Sequence, residues 1–241
     1  MPVRVAALAL STFLIAADVS PEPARVATAR ARAGPRVARA LESAEVPALR
    51  AVLLRMFKEE RVLEVWVAEA PERPFVHLGD HPVCASSGGP GPKARVGDGQ
   101  VPEGVYRVTA LNPWSQFHLS MRLDYPNAAD RARSPGVGAR ELGGEIFIHG
   151  GCATIGCIPI GDEAIEEVYL LAQQTRAAGG EVLALILPAR PGAPRWAAMV
   201  GRGTAVEVTL WRSLEALSTR LERTHRWPRV EARPDGSYAA D

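Results

Sequence analysis

This sequence lacks an excess of either charge. Across 241 residues, 28 Lys and Arg face 27 Asp and Glu, for a formal net charge of +1. No global field argues for a nucleic-acid partner, which draws on a strongly basic surface. Long apolar runs are nearly absent too. The one near the N-terminus, Val5 to Ala17 behind Arg4, is too short to span a bilayer comfortably and suits the core of a signal peptide. It holds no cysteine, so a lipid anchor is not indicated. Residues 1–17 are therefore expected to be a signal peptide. The expected location is the periplasm or cell envelope, with no stable membrane span after processing. Cysteine is scarce, with only Cys84, Cys152 and Cys157. In an exported protein an odd count leaves one thiol over, either idle or reactive.

What is present is a loop-rich chain with 22 glycines and 20 prolines, and no visible internal repeat. That texture suggests a mainly β or α+β domain. Residues 18–50 read as a linker rich in Arg, Ala and Pro to roughly Pro35, and then a short helix over Val37 to Ala48. From Ala51 the texture changes. Val52-Leu53-Leu54 and Leu63-Glu64-Val65-Trp66-Val67 flank the charged group Lys58-Glu59-Glu60-Arg61, as in a hairpin. The stretch from Ser86 to Gly104 is dense in Gly and Pro and reads as a long surface loop. Asp162 is placed to cap a helix running to about Ala178, with Ile165, Val168, Tyr169 and Ala172 on one face. Leu210, Leu214, Leu217 and Leu221 mark a second amphipathic helix. The expected organisation is a core domain over 51–190, with a C-terminal helix and tail over 191–241 packed on it.

The chemistry concentrates in His149-Gly150-Gly151-Cys152-Ala153-Thr154-Ile155-Gly156-Cys157. An apolar strand, Glu145 to Ile148, delivers a histidine to a glycine-rich turn, and Gly156-Cys157 follows. A thiol needs a nearby imidazole to act as a nucleophile at neutral pH. Glycine before the nucleophile leaves room for a substrate carbonyl and frees backbone N–H groups for an oxyanion.

This pattern resembles the catalytic domain of the YkuD-type L,D-transpeptidases: a strand ending in His-Gly, a short loop with a hydroxyl residue, then Gly-Cys. Here these are His149-Gly150, Thr154 and Gly156-Cys157. The YafK-like murein L,D-transpeptidase branch is the most similar. Arg55-Met56-Phe57-Lys58-Glu59-Glu60-Arg61-Val62-Leu63-Glu64-Val65-Trp66 resembles its first hairpin. Gly91-Pro92-Lys93 and Gly97-Asp98-Gly99-Gln100-Val101-Pro102-Glu103-Gly104-Val105-Tyr106 resemble its central loop. Leu111-Asn112-Pro113, Tyr125-Pro126-Asn127 and Asp130-Arg131 also match.

The resemblance implies a fold of packed mixed sheets with a few helices. It implies a cysteine acyl-enzyme mechanism on peptidoglycan peptide stems containing diaminopimelate, with no cofactor and no metal. Cys157 carries over as nucleophile, His149 as general base and acid, the Gly156-Cys157 backbone as part of the oxyanion site, and Thr154 as a hydroxyl that orients His149. Asn127, Asp130 and Arg131 are implied to lie in a substrate-binding loop. One departure is Pro159, where most of the superfamily has an arginine two residues after the nucleophile. The YafK-like branch also lacks it. That branch includes hydrolases that release a wall-linked lipoprotein, so release of wall-bound protein or peptide by hydrolysis is the alternative to cross-linking.

Cys84 and Cys152 match cysteines of the branch outside the nucleophile position. They are candidates for a disulfide in an oxidising compartment, with buried thiols or a supporting role behind the catalytic residues as the other readings. His77, His81, His118 and His225 read as surface or packing residues. The contrasting class is a catalytically inactive wall-binding domain, or one stabilised by zinc on Cys84, Cys152, Cys157 and His149.

Overall fold

The computed structural model describes residues 22–241. The expected signal peptide lies outside the described residues. Helix α1 (Ala24–Ser43) leads into strands β1 (Ala51–Phe57), β2 (Val62–Ala68) and β3 (Val76–Pro82). A long loop precedes β4 (Gly104–Asn112) and β5 (Ser120–Leu123), which are followed by short helices α2 (Ala128–Arg133) and α3 (Ala139–Leu142). Then come β6 (Phe147–His149), β7 (Ile158–Pro159), α4 (Asp162–Ala177) and β8 (Glu181–Leu187). The chain ends in α5 (Pro194–Val200), α6 (Ala205–Thr224) and the hairpin β9 (Val230–Ala232) and β10 (Tyr238–Ala240).

Eight strands form one mixed sheet in the order β3-β2-β1-β8-β4-β5-β6-β7. The pairs β1–β8 and β6–β7 are parallel and the others antiparallel. Strand β4 makes the sheet curl. Its first residues, Gly104 to Arg107, pair with β8, and a register shift between Val108 and Ala110 then hands the strand over to β5. A bulge at such a point bends and twists the strand that carries it. The bend turns β5, β6 and β7 away from the plane of β1 and β8, and the candidate histidine stands at the end of β6.

The central strands are apolar on both faces because both are covered. Val52, Leu54 and Met56 of β1 face one core with α1 and α4, and Leu53 and Phe57 face the other with α5 and α6. The leucine stripe expected in the last helix is there. Leu210, Leu214, Leu217 and Leu221 of α6 are all buried on the second face.

Residues 24–43 correct the expected linker, since they form one helix that starts well before Val37 and ends before Ala48. Val26, Ala29, Ala33, Val37 and Leu41 recur at helical spacing and are all buried, forming the face packed on α4. Small residues let the two helices approach closely. Pro35 lies on the exposed side of the helix, where the carbonyl it cannot bond is open to water. Two further short helices, α2 and α3, lie inside the 124–144 stretch, and no described helix is long and apolar enough to cross a membrane.

Candidate active site

The parallel pair β6–β7 places the two chemistry-bearing side chains. Ile148 is in register with Ile158 and His149 with Pro159. Ile148 and Ile158 point into the first core. Side chains alternate along a strand, so Phe147, His149 and Pro159 share the opposite face. Cys157 lies in the bend immediately before β7, two residues ahead of the position in register with His149. Around it, Cys157 Sγ lies 3.6 Å from the carbonyl oxygen of Glu145 and is half-buried.

His149 is 2% exposed. Its Nδ1 lies 2.5 Å from Gly150 O, so Nδ1 carries the proton and donates to that carbonyl. Nε2 is left as the basic nitrogen. The Phe117 ring lies over the imidazole, with centroids 4.7 Å apart and planes inclined at 34°. Burial holds the imidazole below its ordinary range, with the Gly150 bond opposing that shift. Burial also pushes the Cys157 thiol up, against the Phe147 N–H and the positive charge of Lys93, while Glu145 raises it further. Both shifts favour the neutral forms at neutral pH, a thiol and a neutral imidazole, not a preformed ion pair.

Two glycines are required by what surrounds them. A Cβ on Gly150 would stand 2.6 Å from Asp162 Oδ1 and 2.8 Å from Phe117 O. Gly156 has φ +104°, a region side-chain-bearing residues rarely adopt, and a Cβ there would meet Gln100 O at 3.1 Å. The Gly156 N–H donates to Ser87 Oγ at 2.7 Å. The Gly/Pro-rich loop thus forms a wall of the site, with Ser87 and Gln100 seating the residue before the thiol. Ser87 and Phe117 carry no signal in the sequence, sitting in turns with no motif of their own, and Gln100 lies in the central-loop motif without a role assigned to it.

Thr154 lies in the turn but does not reach His149. Its Oγ1 donates to Cys157 O at 2.8 Å, closing the turn that presents the thiol. Asp162, expected as a helix cap, is instead the first residue of α4, and its Oδ1 accepts the Gly151 N–H at 2.8 Å. Cys84 and Cys152 are joined as a disulfide spanning 68 residues, which ties the 150–157 turn to the segment after β3. That bond uses two of the four ligands the zinc alternative requires.

Asn127, Asp130 and Arg131 are not brought to Cys157. Asn127 caps α2, accepting from the Ala129 N–H at 2.9 Å, and Asp130 completes the capping box. Asp130 is buried, taking a hydrogen bond from Tyr106 Oη at 2.9 Å and an ion pair from Arg133 at 2.5 Å. Arg131 donates to Pro126 O and lines a separate cleft of about 830 Å³, with Arg107, Trp227 and Arg229. Neither His149 nor Cys157 lines that cleft. The residues of this loop are occupied in holding the loop itself.

Comparison with known proteins bears on this geometry. Residues 57–208 match the family model described as the YkuD L,D-transpeptidase catalytic domain. Over 120 residues the chain is 36% identical to "Putative L,D-transpeptidase YafK" of Escherichia coli K12, covering 49% of this chain and 46% of that protein. The chain thus matches less than half the length of that curated relative. Among solved structures, the helical cell shape determining protein Pgp2 of Campylobacter jejuni aligns with TM-score 0.47 and 21% identity, over 57% of this chain and 48% of its own. L,D-transpeptidase 1 of Mycobacterium tuberculosis aligns with TM-score 0.30 and 11% identity, over 56% and 61% of the two chains. The family match takes in His149, Cys157, the loop that seats Gly156 and every strand of the curled sheet but β1, and this chain belongs to the YkuD family of L,D-transpeptidase catalytic domains.

Proposed function

We propose that this chain is a cysteine acyltransferase that acts on peptidoglycan peptide stems outside the cytoplasm, with Cys157 as nucleophile and His149 as base and acid. Members of its family act on peptidoglycan. The observation that carries the reading is the His149 tautomer. With Nδ1–H held by Gly150 O, Nε2 is free to take the proton of Cys157, which stands at the bend before β7. Nε2 accepts the thiol proton as sulfur attacks the carbonyl carbon of the donor stem. The Cys157 N–H is the donor offered to the resulting oxyanion, because the Gly156 N–H is held by Ser87 Oγ. The C–N bond then breaks, the imidazolium protonates the leaving amine, and a thioester remains on Cys157. An amine of a second stem completes transfer; water completes hydrolysis.

A neutral starting pair fixes the pH dependence. His149 must be unprotonated to act, and burial lowers its pKa. Activity is therefore complete at neutral pH and falls as pH drops through the lowered value. The acid limb of kcat/KM should have its midpoint below 6.5, the ordinary imidazole value. Alkylation of Cys157 by iodoacetamide should stay slow near neutrality and accelerate only above the ordinary thiol range, since the thiol is pushed up. Rapid alkylation that is flat from pH 5 to 8 would indicate a preformed thiolate and contradict the general-base mechanism.

Hydrolysis is the second reading, favoured by a specific observation. Pro159 is buried in β7 in register with His149 and has no donor for a substrate carboxylate. Arg131 and Arg133 do not supply the missing charge, the first lying in the separate cleft and the second paired with Asp130. A poorly oriented amine loses to water. With muropeptides and excess amine, released peptide should exceed cross-linked product by mass spectrometry. Arg131→Ala should change that ratio by no more than about twofold, as expected of a surface substitution. Predominant cross-linking by the wild type would overturn the hydrolytic reading, and its loss in Arg131→Ala would return that arginine to the site. A wall-linked lipoprotein is a candidate donor to include in the same assay.

A further inference from the structure

Helix α1 precedes residue 57, where the family match begins. It nevertheless reaches the candidate site. Arg25, in its first turn, donates from one guanidinium nitrogen to Ser115 O at 2.6 Å and to His118 O. About two turns further on, Arg32 pairs with Glu166 of α4 at 3.3 Å, and the same carboxylate oxygen lies 2.9 Å from His118 Nε2. Glu166 is 1% exposed, and its second oxygen has no partner among the described residues. A carboxylate so buried is held by the groups around it, here Arg32 and His118.

These contacts converge on one turn. His118 has φ +65°, a left-handed conformation that a non-glycine residue holds only when its surroundings fix it. Phe117 O and His118 Cβ occupy the space a side chain on residue 150 would need. The Phe117 ring in turn rests on the His149 imidazole. The imidazole has two anchors, the Gly150 carbonyl at Nδ1 and Phe117 across its face.

We propose that α1 is a clamp for the candidate base: Arg25, with the Arg32–Glu166–His118 chain, fixes the 115–118 turn so that Phe117 holds His149 in its working orientation. This rests on His149 acting as the base. Arg25, Arg32, His118 and Glu166 are positioning residues, since they act through Phe117 and touch no reacting atom. Catalysis is steep in orientation, and a displacement on the order of 1 Å costs about a hundredfold.

The test uses the full chain and muropeptide turnover. Arg25→Ala should lower kcat by about tenfold or more with KM changed by no more than about twofold, because orientation of the base and not stem binding is lost. Arg25→Lys, which keeps a cationic donor for the two carbonyls, should recover most of the rate. Phe117→Ala should give a loss of similar size, and adding Arg25→Ala to it should cost nothing further, since both act on one contact. A wild-type kcat in Arg25→Ala, a KM-only effect, or losses that multiply in the double variant would each overturn the clamp. An inactive wild type whose Cys157 takes no acyl group would instead defeat the acyltransferase reading, so the two failures are distinguishable.

Discussion

Cys157→Ser should lower kcat/KM on peptidoglycan fragments by about 10⁴-fold or more while the protein stays folded, a loss of the size seen when a nucleophile that works as a unit with its base is removed. The imidazole assigned as its base is weak, because burial lowers the pKa of His149. A weak base suffices for a thiol, which ionises far more readily than an alcohol. It does not suffice for serine, whose proton is held several orders of magnitude more tightly. Stability should change little, since serine is smaller and Cys157 is only half-buried. Melting followed by circular dichroism separates loss of chemistry from loss of fold. A carbapenem or other thiol-directed acylating agent should add its mass at Cys157 alone, because Cys84 and Cys152 are joined. Cys84→Ser and Cys152→Ser should keep part of the activity, their bond stapling the turn without touching the reacting atoms. Undiminished turnover in Cys157→Ser would end the mechanism.

Some of this architecture can be read directly from the sequence. The hairpin β1–β2, the apolar strand that ends at His149, the face of α4 and the leucine stripe of α6 all follow from periodicity and turn chemistry. The His-Gly and Gly-Cys pairs mark the site because Gly150 and Gly156 are sterically required where they stand. Helix α1 is obscured by composition. Its buried face is built from Val26, Ala29, Ala33 and Val37, residues too small to signal a core, and Gly34-Pro35 interrupts the pattern. The loop holding Asn127, Asp130 and Arg131 was expected at the substrate, yet a capping box and a buried tyrosine occupy two of those side chains. A polar residue matched by motif carries no label saying whether its hydrogen bonds go to ligand or to its own backbone. Thr154 illustrates the same ambiguity, with its hydroxyl bonded to Cys157 O rather than to His149. Tertiary contacts decide these cases, and local sequence does not contain them.

Glu103→Ala should destabilise the fold by roughly 3–5 kcal/mol, the cost of stranding a buried charge. The Glu103 side chain is fully buried, and Lys58, just past β1, is 3% exposed. Their ion pair measures 2.9 Å. Every polar atom of the network has a partner: Glu103 Oε1 also accepts the Gly91 N–H at 2.8 Å, Oε2 accepts Trp211 Nε1 at 2.6 Å, and Lys58 Nζ donates to Gly91 O and Val101 O at 3.0 Å each. One carboxylate thus joins the end of β1, both arms of the Gly/Pro-rich loop and helix α6. Alanine would leave an ammonium with only carbonyls for company, and would orphan an indole N–H and a backbone N–H. In a chain of this size such a loss lowers Tm by about 6–20 °C. Glu103→Gln keeps the shape but must turn its NH₂ toward Lys58 or Trp211, so it should be destabilised less than the alanine variant and more than wild type. The double variant Lys58→Met/Glu103→Leu removes both charges and should lie closer to wild type than Glu103→Ala does. The effect should reach the chemistry, because the same loop presents Ser87 and Gln100 to Gly156. Glu103→Ala should therefore lose turnover at temperatures where circular dichroism still reports a folded sheet. A loss of less than about 1 kcal/mol in chemical denaturation would show that the loop is held without this pair.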